Sequence, residues 1–250
     1  MSRGDASPLA QADSARLRGQ LGSDVEQHCM ISTDFDEKGY EFVPDVFAES
    51  ESASLASELE TAATKSGGTR TLLRERWCRV LACTLRDRLS LIPSTHVAVQ
   101  CTYFEKSAFR NWLVPIHQDL SIPVAERVGD ESLSGWSEKE GAIFVQPPVS
   151  VLEALVAVRV HVDACAAEDG PIRVVPGSHR FGRIGAQQAP EIRRVRGEVV
   201  CEATVGSVLA MRPLLLHSSM KTSGASMRRV LHFVFGPAAL PCGLEWRDAV

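Results

Sequence analysis

Hydrophobic positions along this chain recur with two different periods. Over residues 74–91 the apolar Trp77, Val80, Leu81, Leu85 and Leu89 return every three or four positions with charges opposite. That spacing predicts an amphipathic helix, stopped by Pro93. Leu55, Leu59 and Ala62 predict a second helix over residues 49–65, after a short strand and turn in residues 39–47. Beyond Pro93 the period falls to two. Residues 95–104 read as a strand with Val97, Val99 and Cys101 on one face, and residues 149–163 end by alternating Val156, Val158, Val160 and Val162 with Ala157, Arg159, His161 and Asp163. Further short strands are predicted over residues 172–175, 198–204, 207–211 and 228–235. They are separated by Asp169-Gly170-Pro171, Pro176-Gly177-Ser178, Val205-Gly206 and Ser223-Gly224. Many short strands after two helices predict a mainly β fold with flanking helices, a jelly-roll or cupin-like barrel.

Residues 120–148 break this rhythm with Gly129, Gly135, Gly141 and several charges around Trp136. A connection this long is either a lid or binding loop, or a plain surface excursion. Residues 1–25 are rich in Ser, Ala, Gly, Asp and Arg, with no apolar stretch of the secretory kind. They predict a flexible tail ahead of one domain over residues 26–250.

Composition narrows the function classes. The 250 residues are 44% hydrophobic with a formal net charge of -4, so neither nucleic acid nor an anionic membrane is an expected partner. No apolar run approaches the length of a membrane span. Seven cysteines, an odd count with no C-x-x-C pair, speak against a zinc knuckle or a disulfide framework. They fit reduced thiols in a cytoplasmic protein. Oligomeric state is not legible.

The candidate chemistry lies in His117-Gln118-Asp119, the distant His217, and Arg228 eleven residues beyond it. Two imidazoles and a carboxylate can cap one face of an octahedral Fe(II) and leave three positions open. An arginine stays charged and presents a fork that matches a carboxylate. The set suits iron chemistry with a dicarboxylate cosubstrate. His161-Val162-Asp163 has the same spacing, and spacing alone does not exclude it.

Several pieces in order resemble the phytanoyl-CoA dioxygenase family, which includes ectoine hydroxylase. They are NWLVPIHQDL (residues 111–120), GWSEKEG (135–141), VQPP (145–148), VRVHVDACAAEDGPIRVVPGSHR (158–180) and HSSMKTSGASMRRVLHF (217–233). The resemblance implies a double-stranded β-helix and an Fe(II)- and 2-oxoglutarate-dependent dioxygenase. Such an enzyme hydroxylates or otherwise oxidises a small molecule with dioxygen, releasing succinate and carbon dioxide. It implies His117, Asp119 and His217 as iron ligands, Arg228 as anchor of the cosubstrate's C5 carboxylate, and Ser219 beside it. Gln100 falls where relatives place a polar residue facing cosubstrate or substrate, and Trp112 is a candidate for the pocket wall. Arg229 would point to the opposite face of its strand from Arg228. His28, His96, His179 and His232 are expected to be structural, Arg159 to be a buried salt-bridge partner or to reach the pocket, with the structural role favoured, and Arg193, Arg194 and Arg196 to form a solvated face. Asp169 stands where relatives commonly carry Asn, and Phe144 where many carry His, which bears on substrate identity. The alternatives are a cupin-type metal enzyme that does not use 2-oxoglutarate, or a non-catalytic metal- or ligand-binding barrel.

Overall fold

Alternating valines need apolar cover on one side of their strand, and the computed structural model shows how they obtain it. The structure describes Met1 and residues 33–62, 68–224 and 227–250. The tail expected over residues 1–25 falls, Met1 apart, outside the described residues, as do His28 and Cys29. Residues Asp34–Val250 form one compact unit. Its largest sheet has six antiparallel strands in the order β1 (Tyr40–Val43), β11 (Val208–Met211), β8 (Val156–His161), β13 (Arg228–Pro237), β3 (His96–Lys106) and β2 (Gly68–Thr69). Val156, Val158, Val160 and Val162 share one face of it with Leu231, Phe233 and Phe235, all buried. Two helices cover that face: α2 (Glu49–Ala62) through Leu59, and α3 (Arg76–Arg88) through Cys78, Leu81, Ala82 and Leu85. Burying each such leucine contributes roughly 2 kcal/mol.

The other face of β8, β13 and β3 looks onto a four-stranded antiparallel sheet across a cavity. Its order is β10 (Val199–Cys201), β9 (Ile172–Val174), β12 (His217–Ser219) and β4 (Val114–His117). The two sheets make the double-stranded β-helix, or jelly roll, with helices on one side. Short helices α1 (Thr33–Lys38), α4 (Val149–Ala154) and α5 (Ala189–Arg196) are the other α-helices among the described residues. No helix among the described residues is long and apolar enough to cross a membrane.

The structure departs from the sequence pattern at four places. Val80 is 59% exposed, so the buried stripe of α3 runs through Cys78 and Ala82 instead. That helix ends at Arg88, five residues before Pro93, because Leu89 turns extended at φ -115 and ψ 102. Residues 120–148 are not an irregular connection: they hold a three-stranded sheet in the order β5 (Ile122–Val124), β7 (Ala142–Gln146), β6 (Ser134–Lys139), and Ile122, Lys139, Phe144 and Gln146 of it line the cavity. Finally, Val97 and Val99 do not share a face with Cys101. The register shifts opposite Val234 and Phe235, which pair with Gln100 and Ala98, so one residue of β3 is unpaired. This bulge sends Cys101 and Tyr103 into the helix-covered core and turns Gln100, Thr102, Phe104 and Lys106 toward the cavity.

Candidate metal centre

Strand pairing brings the two distant histidines together. His117 closes β4, His217 opens β12, and the two are direct cross-strand partners with ring centroids 4.2 Å apart. Asp119 follows two residues past the strand end, where its backbone N–H donates to the Pro213 carbonyl at 2.9 Å. Gln118 between them is buried and fastens the turn. Its amide donates to the carbonyls of Gly182 and Leu214 at 2.8 and 2.6 Å, and its oxygen accepts from the Ile184 N–H at 2.8 Å. The outcome is a His117, Asp119, His217 cluster whose ligand atoms all lie within 4.8 Å of one another.

Ring tautomers follow from the neighbours. Nδ1 of His117 lies 2.9 Å from the Pro115 carbonyl and Nδ1 of His217 lies 2.8 Å from that of Leu215. A carbonyl only accepts, so both Nδ1 atoms carry the proton and both Nε2 atoms offer lone pairs. Each Nε2 faces a carboxylate oxygen of Asp119 at 3.8 Å. This donor set fits a divalent iron.

The electrostatics of the cavity point the same way. Burial holds His217 neutral down to about 4, against the opposing pull of Asp119. Burial raises the Asp119 carboxyl, but the attraction of His217, His232, His117 and Arg159 outweighs it and leaves the group below its ordinary value. The cavity measures about 490 Å³ and is lined by Arg70, Lys106, Lys139, Arg159 and Arg228, with Asp119 as its one carboxylate among the described residues. Such an excess of cations calls for an anionic guest.

Arg228 opens β13 and is 4% exposed. One guanidinium N–H donates to the Gly170 carbonyl at 2.7 Å, while its buried Nε has no partner. Gly170 sits at φ 64, and a Cβ there would come within 2.5 Å of the Met220 carbonyl, so only glycine presents this carbonyl without strain. Across β13 and β3, Arg228 pairs with Lys106. Lys106 is almost wholly buried and donates to Ser219 Oγ and, at 2.7 Å, to the Met220 carbonyl. Its Nζ lies 5.4 Å from the ring centroid of Trp112. Burial, then the charges of Arg228 and Arg159, depress it to about 8.

The other residues singled out from the sequence distribute as follows. Gln100 lines the cavity and donates to Thr102 at 2.8 Å, and Trp112 and Phe144 line its wall. Arg229 faces away, held by Asp163 through three 2.8 Å bonds. His161 is buried against Phe42, ring centroids 6.2 Å apart. Neither member of the second His-x-Asp joins a cluster of candidate metal ligands among the described residues. His96 and His179 reach the carbonyls of Ala154 and Asp36. In the basic cluster, Arg194 pairs with Glu191, and Arg196 lies 4.7 Å from the Phe181 ring centroid. One expectation needs correction. His232, expected to be structural, lines the cavity, and Arg159 takes the less favoured of its two alternatives and reaches the cavity too, because β13 and β8 turn them inward in one cross-strand pair. Lys106 gave no motif signal; its two-residue spacing from Phe104 and Thr102 was the only clue, usable once the bulge is known.

Known proteins match this arrangement. The family model described as Phytanoyl-CoA dioxygenase (PhyH) matches residues 35–230. A comparison with curated proteins gives no match. Among solved structures, the epimerase SnoN in complex with Fe3+, alpha ketoglutarate and nogalamycin RO is 16% identical, with 87% of this chain and 91% of that chain covered and a TM-score of 0.66. EctD from S. alaskensis with 2-oxoglutarate and 5-hydroxyectoine is 19% identical over 86% of this chain and 81% of that one, with a TM-score of 0.61. HygX from Streptomyces hygroscopicus with iron bound is 21% identical over 86% of this chain and 94% of that one, with a TM-score of 0.57. At these identities the structures bear on the fold, and the family model bears on the chemistry. The chain therefore belongs to the phytanoyl-CoA dioxygenase family and is an Fe(II)- and 2-oxoglutarate-dependent oxygenase.

Proposed function

We propose that this chain oxidises a small organic molecule, by hydroxylation in the first instance, as a single cytoplasmic oxygenase domain over residues 26–250. In this reading His117, Asp119 and His217 hold the iron, and Arg228, Lys106 and Ser219 hold the distal carboxylate of 2-oxoglutarate. Bound iron, with dioxygen and the 2-oxo acid, supplies an oxidant for an unactivated C–H bond, and succinate and carbon dioxide are released. The chain's own residues do the rest. The paired strands β4 and β12 restrict the ligands to one face, which leaves positions for cosubstrate and dioxygen. Gln100, with Thr102 beside it, offers polar contacts on the cavity floor. Phe104, Trp112 and Phe144 exclude water from the wall, so charges inside act at full strength.

The carrying observation is the buried guanidinium of Arg228, which has an unpartnered Nε and a backbone carbonyl at one Nη. A buried cation this poorly matched needs an anion from outside. Anaerobic titration of the Fe(II)-loaded protein with 2-oxoglutarate tests the reading through the visible charge-transfer band of the chelate. The wild type should give the band, and Arg228→Met should need about 100- to 1,000-fold more cosubstrate, the equivalent of ~3–4 kcal/mol. Iron bound without any band in the wild type would defeat the assignment.

A further inference from the structure

Three imidazoles converge on Asp119, one more than the metal needs. His117, His217 and His232 each place Nε2 3.8 Å from an oxygen of that carboxylate. Only His117 and His217 join the cluster of ligand atoms within 4.8 Å. They differ as well in the partner of the other ring nitrogen. His117 and His217 turn Nδ1 to backbone carbonyls. His232 turns Nδ1 to Arg159 Nη1 at 3.3 Å, its cross-strand neighbour.

A guanidinium has donors and no acceptor, and it keeps its proton. The Arg159 N–H must donate, so Nδ1 of His232 must accept, and the ring proton must sit on Nε2. That N–H then faces Asp119. A protonated ring nitrogen has no lone pair for a metal. Arg159 is well placed to enforce this: it is 7% exposed, lies 5.7 Å from the Phe104 ring centroid, and is drawn toward the same cavity by the charge of Asp119.

We propose that Arg159 fixes the tautomer of His232 and so makes it a positioning residue, one that turns an N–H toward Asp119 from outside the ligand cluster. This rests on the metal-binding reading above. Two consequences follow. The N–H of His232 faces Oδ2 of the carboxylate at 3.8 Å, the oxygen that His217 also faces, while Oδ1 faces His117. The third imidazole also leaves open the positions that a chelating cosubstrate and dioxygen require.

The first test uses metal-free, full-length protein labelled with 15N-histidine. Two-bond 1H–15N correlations distinguish the tautomers, and His232→Gln assigns the His232 signals. The expected pattern is Nδ1–H for His117 and His217 and Nε2–H for His232; Nδ1–H on His232 would overturn the proposal. The second test counts imidazole nitrogens by X-ray absorption on protein loaded with Co(II) alone. Two are expected in the wild type and in His232→Gln, and three in the wild type would show His232 to be a ligand and sink the proposal. In the first readout Arg159→Lys, which keeps a donor, should retain the Nε2–H form of His232 and Arg159→Met should lose its preference for it. An unchanged Nε2–H signal in Arg159→Met would also sink the proposal, and if that variant does not fold, the wild-type tautomer still decides. Neither readout needs 2-oxoglutarate, so the failure of the cosubstrate titration and the failure of this inference are separable.

Discussion

Replacing Lys106 with methionine should separate cosubstrate binding from folding. In the metal-free protein the lysine is a liability. Its fall from 10.5 to about 8 corresponds to about 3 kcal/mol against carrying the charge. The sign is fixed by which state holds more protons. Between about 8 and 10.5 the unfolded chain is the more protonated, so stability rises with pH through that window, and at pH 7 the whole penalty is present. Lys106→Met removes this penalty and also removes the bonds to Ser219 and Met220. Each of those losses costs on the order of 1 kcal/mol beside a cavity that water can enter. The net change in stability should stay within about 1–2 kcal/mol of zero. Affinity for 2-oxoglutarate should behave otherwise. Losing one charge-assisted bond to a carboxylate costs about 1.5–3 kcal/mol, or roughly 10- to 150-fold in Kd. Urea unfolding of the metal-free protein at pH 7, with anaerobic calorimetric titration of the iron-loaded one, reads both quantities. A stability loss above about 3 kcal/mol with unchanged cosubstrate affinity would show the lysine to be structural and refute the reasoning.

Other perturbations probe the neighbours. Arg229→Met breaks the half-buried pair with Asp163 and should cost about 2–4 kcal/mol in unfolding experiments. Its 2-oxoglutarate affinity should stay within about twofold, which distinguishes it from Arg228→Met; a parallel loss of affinity would contradict the facing assigned to each. Gly170→Ala adds a Cβ at φ 64 against the Met220 carbonyl, so thermal unfolding should report a loss of about 1–3 kcal/mol and 2-oxoglutarate should bind more weakly as the Arg228 partner shifts. Acid should destabilise the metal-free protein early. Burial depresses His161, His217 and His232 from 6.5 to about 3, 4 and 3, so the unfolded chain binds more protons below 6.5 and stability falls as pH drops toward 4. The slope approaches about 1.4 kcal/mol per pH unit for each histidine, and a flat melting temperature from pH 6.5 to 4.5 would disprove it.

Much of this was readable from the chain because the signals are local. Period-two valines in residues 156–162 fix which face of β8 is apolar, and the amphipathic spacing of residues 76–89 marks the helix that covers it. The His-x-Asp, the later histidine and the arginine eleven residues on are short-range spacings with a chemical meaning, and Gly170 marks its own turn. What the sequence could not assign depends on long-range register. Two His-x-Asp motifs have equal spacing, and only the pairing of β4 with β12 brings His217 to His117 while leaving His161 against Phe42. One unpaired residue in β3 decides that Lys106 enters the cavity and Cys101 leaves it. The β8–β13 pairing sets Arg159 against His232, and with it the tautomer of an imidazole beside the metal centre. In a strand, a shift of one residue reverses every side chain, and hydrogen-bond partners from distant strands determine where protons sit. The chain alone determined which groups are available; the tertiary structure decided which of them meet and in what protonation form.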